Sequence, residues 1–282
     1  IVRLSNNWLL SRVAYIYVEF TRNVPLLLQI ILWYSILIQL PRVKQALKLS
    51  EGFYISNRGL YGPRPIFESG FSLVFISFIL CVIISYTIKK WSKARQDKTG
   101  EQFPVGLVSI GLIVFIPCII FFMSGSPMSF DYPALKGFNF KGGMVIRPEF
   151  IAMFMALTTY TAAFISETVR SGILSVTKGQ KEASSALGLK QNWIMRFIII
   201  PQALRVIVPP LTSQYLNLTK NSSLGIAVGY ADLVHGFGGI SLNQTGQAIE
   251  CMLIVMATYL TISLIISLFM NIYNKSIQFK EK

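Results

Sequence analysis

The sequence predicts an all-α, polytopic bundle of membrane-spanning helices, and three observations carry that expectation. Hydrophobic residues fill 53% of the 282 positions and charged residues only 13%, more apolar matter than a water-soluble core of this length takes up. The apolar residues gather into nearly uncharged runs at Val24–Leu40, Gly70–Ile88, Phe103–Gly125, Phe150–Ser166, Val206–Thr219 and Cys251–Tyr273. At about 1.5 Å per residue most of these reach across about 30 Å of hydrocarbon, so about six spans are expected. Third, the cations behind the net charge of +14 stand beside the ends of the runs rather than in one basic domain, which argues against a nucleic-acid partner.

The first run, from Val24, follows Arg3, Arg12 and Arg22; the second is followed by Lys89, Lys90, Lys93, Arg95 and Lys98. The fourth is followed by Arg170, Lys178, Lys181, Lys190 and Arg196, and Lys275, Lys280 and Lys282 close the chain. These four clusters alternate as an excess of Lys and Arg on the cytoplasmic side requires, which puts the loops at 89–102 and 170–200 and the tail from Asn274 on that side. The segment Pro41–Ser69 carries Arg42, Lys44, Lys48, Arg58 and Arg64 on the other side, where a longer loop weighs less in orientation.

Ile1 stands where Met would begin a chain, and no signal peptide precedes the first run, so an upstream part is expected. Cys81, Cys118 and Cys251 fall in or beside apolar runs and read as small packing residues; His235, the single histidine, has no Cys or His neighbour for an ordinary zinc site, so no metal is expected. Gly236-Phe237-Gly238-Gly239 lacks the lysine of a phosphate-binding loop and reads as a turn.

A polar island at about 177–201 interrupts the apolar runs. Thr177 and Gln180 have capping-box spacing, so a helix is expected to begin near Lys178 with both side chains bonding free backbone donors. Ala183, Ala186 and Leu187 recur at i, i+3 and i+4 as a narrow face of mostly small residues, suited to close approach by a partner. Gly188 is placed to end this helix in the left-handed conformation, a second amphipathic segment follows with Trp193, Ile194 and Phe197, and Pro201 is expected to end or kink it. On these residues alone, a docking loop and an ordinary helical loop are both open.

Glu182-Ala183-Ser184, three residues, Gly188, nine residues, then Ile198-Ile199-Ile200-Pro201 resembles the signature loop of ABC importer membrane subunits, usually Glu-Ala-Ala-x3-Gly-x9-Ile-x-Leu-Pro. Arg22-Asn23-Val24-Pro25-Leu26-Leu27-Leu28-Gln29, the stretch Tyr160–Gly172 and Leu218–Leu224 are similar to segments of polar amino-acid permeases in that family. Two further spans within about 70–125 make the chain resemble the larger membrane subunit of the general L-amino-acid ABC permease, without the span that would precede Ile1.

The resemblance implies a single transmembrane domain over 1–282, of the type I ABC importer kind, in a bacterial inner membrane. It implies import of L-amino acids, with Glu182, Ala183, Ala186, Leu187, Gly188 and Pro201 docking or shaping a coupling helix against a separate ATPase. The chain would then be no enzyme and bind no cofactor, ATP being used by two ATP-binding subunits. A second homologous permease or a second copy, a periplasmic amino-acid-binding protein and membrane lipid complete the implied partners. Polar residues at span depth are costly unless they face the bundle interior or water, which singles out Thr158, Thr159, Tyr160, Gln214, Asn217, Asn221 and Ser222 as a substrate path; interhelical hydrogen bonding is the plain alternative. An ion-coupled secondary transporter is the competing reading, but the spans hold no deep Asp, Glu or Lys.

Overall fold

The computed structural model describes residues 2–5 and 7–278, so Lys280 and Lys282 of the last basic cluster lie outside the described residues. In chain order the helices are α1 (Trp8–Asn23), α2 (Leu26–Ile38), α3 (Phe71–Thr99), α4 (Val105–Met123) and α5 (Pro148–Leu174). There follow α6 (Lys178–Ala186), α7 (Gln191–Ile194), α8 (Ile200–Asn221), α9 (Leu242–Thr245) and α10 (Ala248–Ile277). They divide between two compact units, one of residues 1–42, 56–59 and 146–282, the other of 43–55 and 60–145.

Among the described residues, five helical segments are long and apolar enough to cross a membrane: α3, α4, α5, the stretch Gln191–Val228 and α10. The first of the six expected spans differs from the sequence expectation. Val24–Leu40 yields only the 13-residue α2, about 20 Å long and too short to cross alone; it passes the same test only together with α1, which meets it at a bend of 104°. Pro25 causes the break, since it has no N–H to continue the ladder and pushes Val24 into the extended region, φ −92° and ψ 128°. The buried amide of Gln29 then donates from Nε2 to the carbonyls of Thr21 at 2.9 Å and Val24 at 3.0 Å, satisfying acceptors that the break released.

In the first unit α5 is the central helix. Leu26 and Ile30 of α2 pack with Met153, Ala156 and Leu157 of α5 and with Val228 of the 3-10 segment Ser222–Val228. Val18 and Thr21 on the buried side of α1 face the same helix, while Leu9, Val13, Ile16 and Phe20 form an exposed apolar stripe. On the other side α8 buries Ala203, Ile207 and Val208. This crossing is tight at Gly172, where a Cβ would stand 2.3 Å from Ile207 Cγ1 and 3.2 Å from the Ala203 carbonyl. Gly172→Leu is therefore expected to force α5 and α8 apart, costing about 1–3 kcal/mol and lowering the thermal midpoint in detergent, while Gly106→Leu, in open space, leaves it unchanged.

Pro201 does not end its segment. The chain runs through Met195–Ile199 as a π-helix and on into α8, with Pro201 in the first α-helical turn. The wider turn takes up the missing N–H and the ring that would clash with a preceding carbonyl in a regular helix. Gly236-Phe237-Gly238-Gly239 likewise lies in a π-helix, Val234–Ser241, instead of a turn.

The second unit pairs α3 with α4, both largely exposed. Residues 89–102 are mostly helix rather than loop: α3 continues through its basic end and stops at Gly100, φ +74°. Cys81 is buried in the unit as expected of a packing residue, but Cys118 is exposed. Among the described residues, eight strands that the all-α expectation did not contain flank the two helices in sequence: β1 (Leu47–Ser50), β2 (Phe53–Ser56), β3 (Gly59–Gly62), β4 (Arg64–Phe67), β5 (Met128–Asp131), β6 (Ala134–Lys136), β7 (Asn139–Lys141) and β8 (Met144–Ile146). One sheet has the order β1-β2-β3-β8, with Leu47 opposite Ile55; β4 runs antiparallel to β5 with Arg64 opposite Asp131, and β6 to β7 with Lys136 opposite Asn139. Phe140 lies between Tyr54 and Tyr61, each ring centroid 4.7 Å away.

Candidate functional site

The polar island folds into a short projecting helix with a defined end. Thr177 occupies the N-cap of α6 in an extended conformation, as expected, but makes no side-chain capping bond. Gln180 does not reach back to it; its Oε1 accepts from Gln202 Nε2 at 3.3 Å, which ties α6 to the start of α8. Ser184 is the buried member of the helix and donates from Oγ to the Gln180 carbonyl at 2.5 Å.

At the other end Gly188 takes φ +76°, its N–H donates to the Ser185 carbonyl at 3.0 Å, and the Leu189 N–H donates to the Ser184 carbonyl at 3.3 Å. These are the paired bonds of a Schellman motif, which ends a helix and reverses the chain. Glu182, Ala183, Ala186 and Leu187 are all exposed, Leu187 to 80%. An apolar face carried on a capped helix and left exposed by the described residues is suited to burial by another protein. Pro201, in the first turn of α8, is exposed, while Ile194 and Ile199 before it are buried.

The polar span residues separate into three groups. Tyr160 on α5 and Gln214, Asn217 and Asn221 on α8 come together around a cavity of about 250 Å³, joined by Thr161, Phe164 and Leu218. The α8 members follow the i, i+3, i+7 rhythm of one helix face. The amides of Gln214, Asn217 and Asn221 make no hydrogen bond to the described residues, so the interhelical bonding considered for them is not formed. Thr158 lines a separate, apolar cavity of about 430 Å³ with Phe150, Met153 and Phe154. Thr159 and Ser222 turn back on their own helices: Thr159 Oγ1 donates to the Met155 carbonyl at 2.7 Å and Ser222 Oγ to the Thr219 carbonyl at 2.7 Å. Neither lines either cavity. Thr161 and Phe164 were not singled out in the sequence; their place on the α5 face beside Tyr160, at i+1 and i+4, was the available signal.

One cluster is legible only in three dimensions. Glu167, near the end of α5, accepts from Arg170 Nε at 2.9 Å and Nη2 at 2.5 Å and also from Arg3. Arg3 lies 3.9 Å from Glu19 of α1, which is itself 4.0 Å from Arg22. Arginines that read as topological charge are thus internal partners of acids.

A multi-spanning helical protein with an exposed, glycine-ended helix between two spans and an amide-lined cavity between those spans belongs to the class of membrane transport components. The chain is a member of the family described as binding-protein-dependent transport system inner membrane component, which it matches over residues 1–279, and it is accordingly a multi-pass inner-membrane permease component. It is 48% identical over 281 residues to the general L-amino acid transport system permease protein AapQ of Rhizobium johnstonii, covering 99% of this chain and 70% of that one. It is 47% identical to the putative amino-acid ABC transporter permease protein YhdX of Escherichia coli, covering 100% of this chain and 72% of that one. Against the glutamate/glutamine/aspartate/asparagine transport system permease protein BztB of Rhodobacter capsulatus the identity is 44%, with 100% and 73% covered. A crystal structure of an amino acid ABC transporter with histidines is 25% identical, with a TM-score of 0.42 over 73% of this chain and 89% of that one.

Proposed function

We propose that this chain is the membrane subunit of an ATP-driven importer of L-amino acids, and that α6 is the helix through which a separate ATPase drives it. The exposed Ala183-Ala186-Leu187 face, held on a helix capped at Gly188, is the observation that carries the reading. A rigid lever of this kind is what ATP-driven closure of partner subunits needs in order to open a path alternately to each side. The chain contributes docking and path; hydrolysis of ATP belongs to two partner subunits, and ligand arrives from a periplasmic binding protein. A second homologous permease, or a second copy of this one, completes the membrane part.

The amide-lined cavity suits the cargo. Each amide offers both a donor and an acceptor, so Gln214, Asn217 and Asn221 can meet the carboxylate and the ammonium of an α-amino acid without burying a fixed charge in the span. Relatives that carry amino-acid transport in their names support the same class of cargo.

Reconstitution in proteoliposomes with the ATPase and binding protein tests the reading. Uptake of radiolabelled L-amino acids is expected to require ATP inside the vesicle and the binding protein outside. Uptake driven by an imposed proton or sodium gradient without ATP would replace it with ion-coupled transport.

A further inference from the structure

The charged cluster near the end of α5 lies close in sequence to the junction with α6. Three residues, Ser175, Val176 and Thr177, separate α5 from α6. Glu167 sits two turns before that junction and is held from two sides, by Arg170 on its own helix and by Arg3 from the segment before α1. The local pair is a common i, i+3 arrangement that needs no partner helix. The Arg3 bond has no such local origin, since it joins positions 164 apart in sequence, with Arg3 only 14% exposed in its side chain and Glu167 23%.

Arg3 also approaches Glu19, and Glu19 approaches Arg22, whose guanidinium lies 5.2 Å from the Phe164 ring centroid. Phe164 is one of the residues lining the amide cavity. The chain of charges therefore runs from the root of the docking helix, across α1, to the wall of the cavity. Its outer end is also tied down, because α1 leads through the Pro25 bend into α2, and α2 packs on α5 at Met153, Ala156 and Leu157.

We propose that Glu167 is a positioning residue: with Arg3 it clasps α1 to the terminal turns of α5, so that displacement of α6 moves α1, α2 and the cavity wall as one body. The inference rests on the reading of α6 as the docking helix. Half-buried ion pairs at a helix end are screened less than surface pairs, and removal of the one acid would leave three arginines beside Glu19 alone.

Charge exchange in the assembled transporter tests the clasp. Glu167→Arg with Arg170→Glu keeps an opposite-charge pair on α5 but sets like charges against Arg3. This double variant is expected to assemble with the ATPase and hydrolyse ATP while moving about tenfold less amino acid per ATP. Adding Arg3→Gln removes that repulsion without setting an acid against Glu19, which Arg3 also approaches, and is expected to raise the uptake to the milder loss of Glu167→Gln alone.

Uptake per ATP unchanged in the double variant would overturn the proposal, as would a triple variant no better than the double. A double variant that fails to assemble and is repaired only in assembly by the third change would make the cluster a folding element, and that too would overturn it. If the unsubstituted protein hydrolyses no ATP during uptake, the failure lies with the docking reading and is seen before any variant is made.

Discussion

Replacing Gly188 with valine is expected to release the ATPase or to uncouple its hydrolysis from uptake, while the spans still insert. Gly188 sits at φ +76°, where a β-branched residue is strongly disfavoured, at a cost of about 1–3 kcal/mol. Apart from its chain neighbours, none of the described residues lies within 4 Å of where a Cβ would stand, so the penalty is one of backbone conformation. That makes an ordered series: Gly188→Asn should retain most of the ATPase on a tagged complex, Gly188→Ala less, and Gly188→Val least. Ala183→Arg tests the contact itself, since the position is exposed and the substitution puts bulk and charge on the docking face without touching the fold. Equal retention of ATPase across the glycine series, together with full ligand-stimulated hydrolysis in Ala183→Arg, would mean that α6 is only a loop.

Uptake should fall about tenfold in Gln214→Leu and in Asn217→Leu, the scale of one lost hydrogen bond to a charged group at roughly 1.5–3 kcal/mol. Both side chains line the cavity and neither is bonded to the described residues, so their removal takes nothing from the packing of α8. ATPase assembly is accordingly expected to be intact, and Asn221→Leu should follow the same course. Thr159→Val is the control within the same set of polar residues. Its hydroxyl is satisfied by the Met155 carbonyl, so uptake should stay within about twofold of the unsubstituted protein. Normal kinetics in all three amide variants would remove the cavity from the substrate path, and loss of uptake in Thr159→Val alone would move the path to the other face of α5.

Local chemistry explains which elements were legible in the sequence. Gly188 could be assigned to a helix end because the left-handed conformation is a property of one residue and its immediate neighbours. Thr177 was placed at the helix start for the same reason, yet its hydroxyl bond did not form and Gln180 found Gln202 instead, 22 residues away. Pro201 shows the limit most clearly. A proline predicts a break only if the preceding turns stay α-helical, and here the π-helix Met195–Ile199 relieves the conflict and lets the span continue. Val24–Leu40 has the apolar length of a span, but length does not report that the chain turns by 104° at Pro25 and that Gln29 then satisfies the carbonyls freed by the break.

The strands are not legible in the sequence because each is three or four residues long, too short for period-two alternation to rise above chance between two strongly apolar runs. Their turn glycines were visible, Gly52 at φ +80° and Gly137 at φ +71°, but a turn becomes a hairpin only when its two arms find one another.

By itself the sequence determined the membrane class, the places of the long spans, the polar island and its glycine end, because hydrophobic transfer and backbone preference are summed residue by residue along the chain. Tertiary structure alone decided which polar residues share a cavity, separating Gln214, Asn217 and Asn221 from Thr158, Thr159 and Ser222. It also decided that Arg3 meets Glu167 across 164 positions. Both outcomes depend on how α5 is rotated against α1 and α8, and that rotation is set by close packing at contacts such as Gly172 on Ile207, which no local pattern in the sequence encodes.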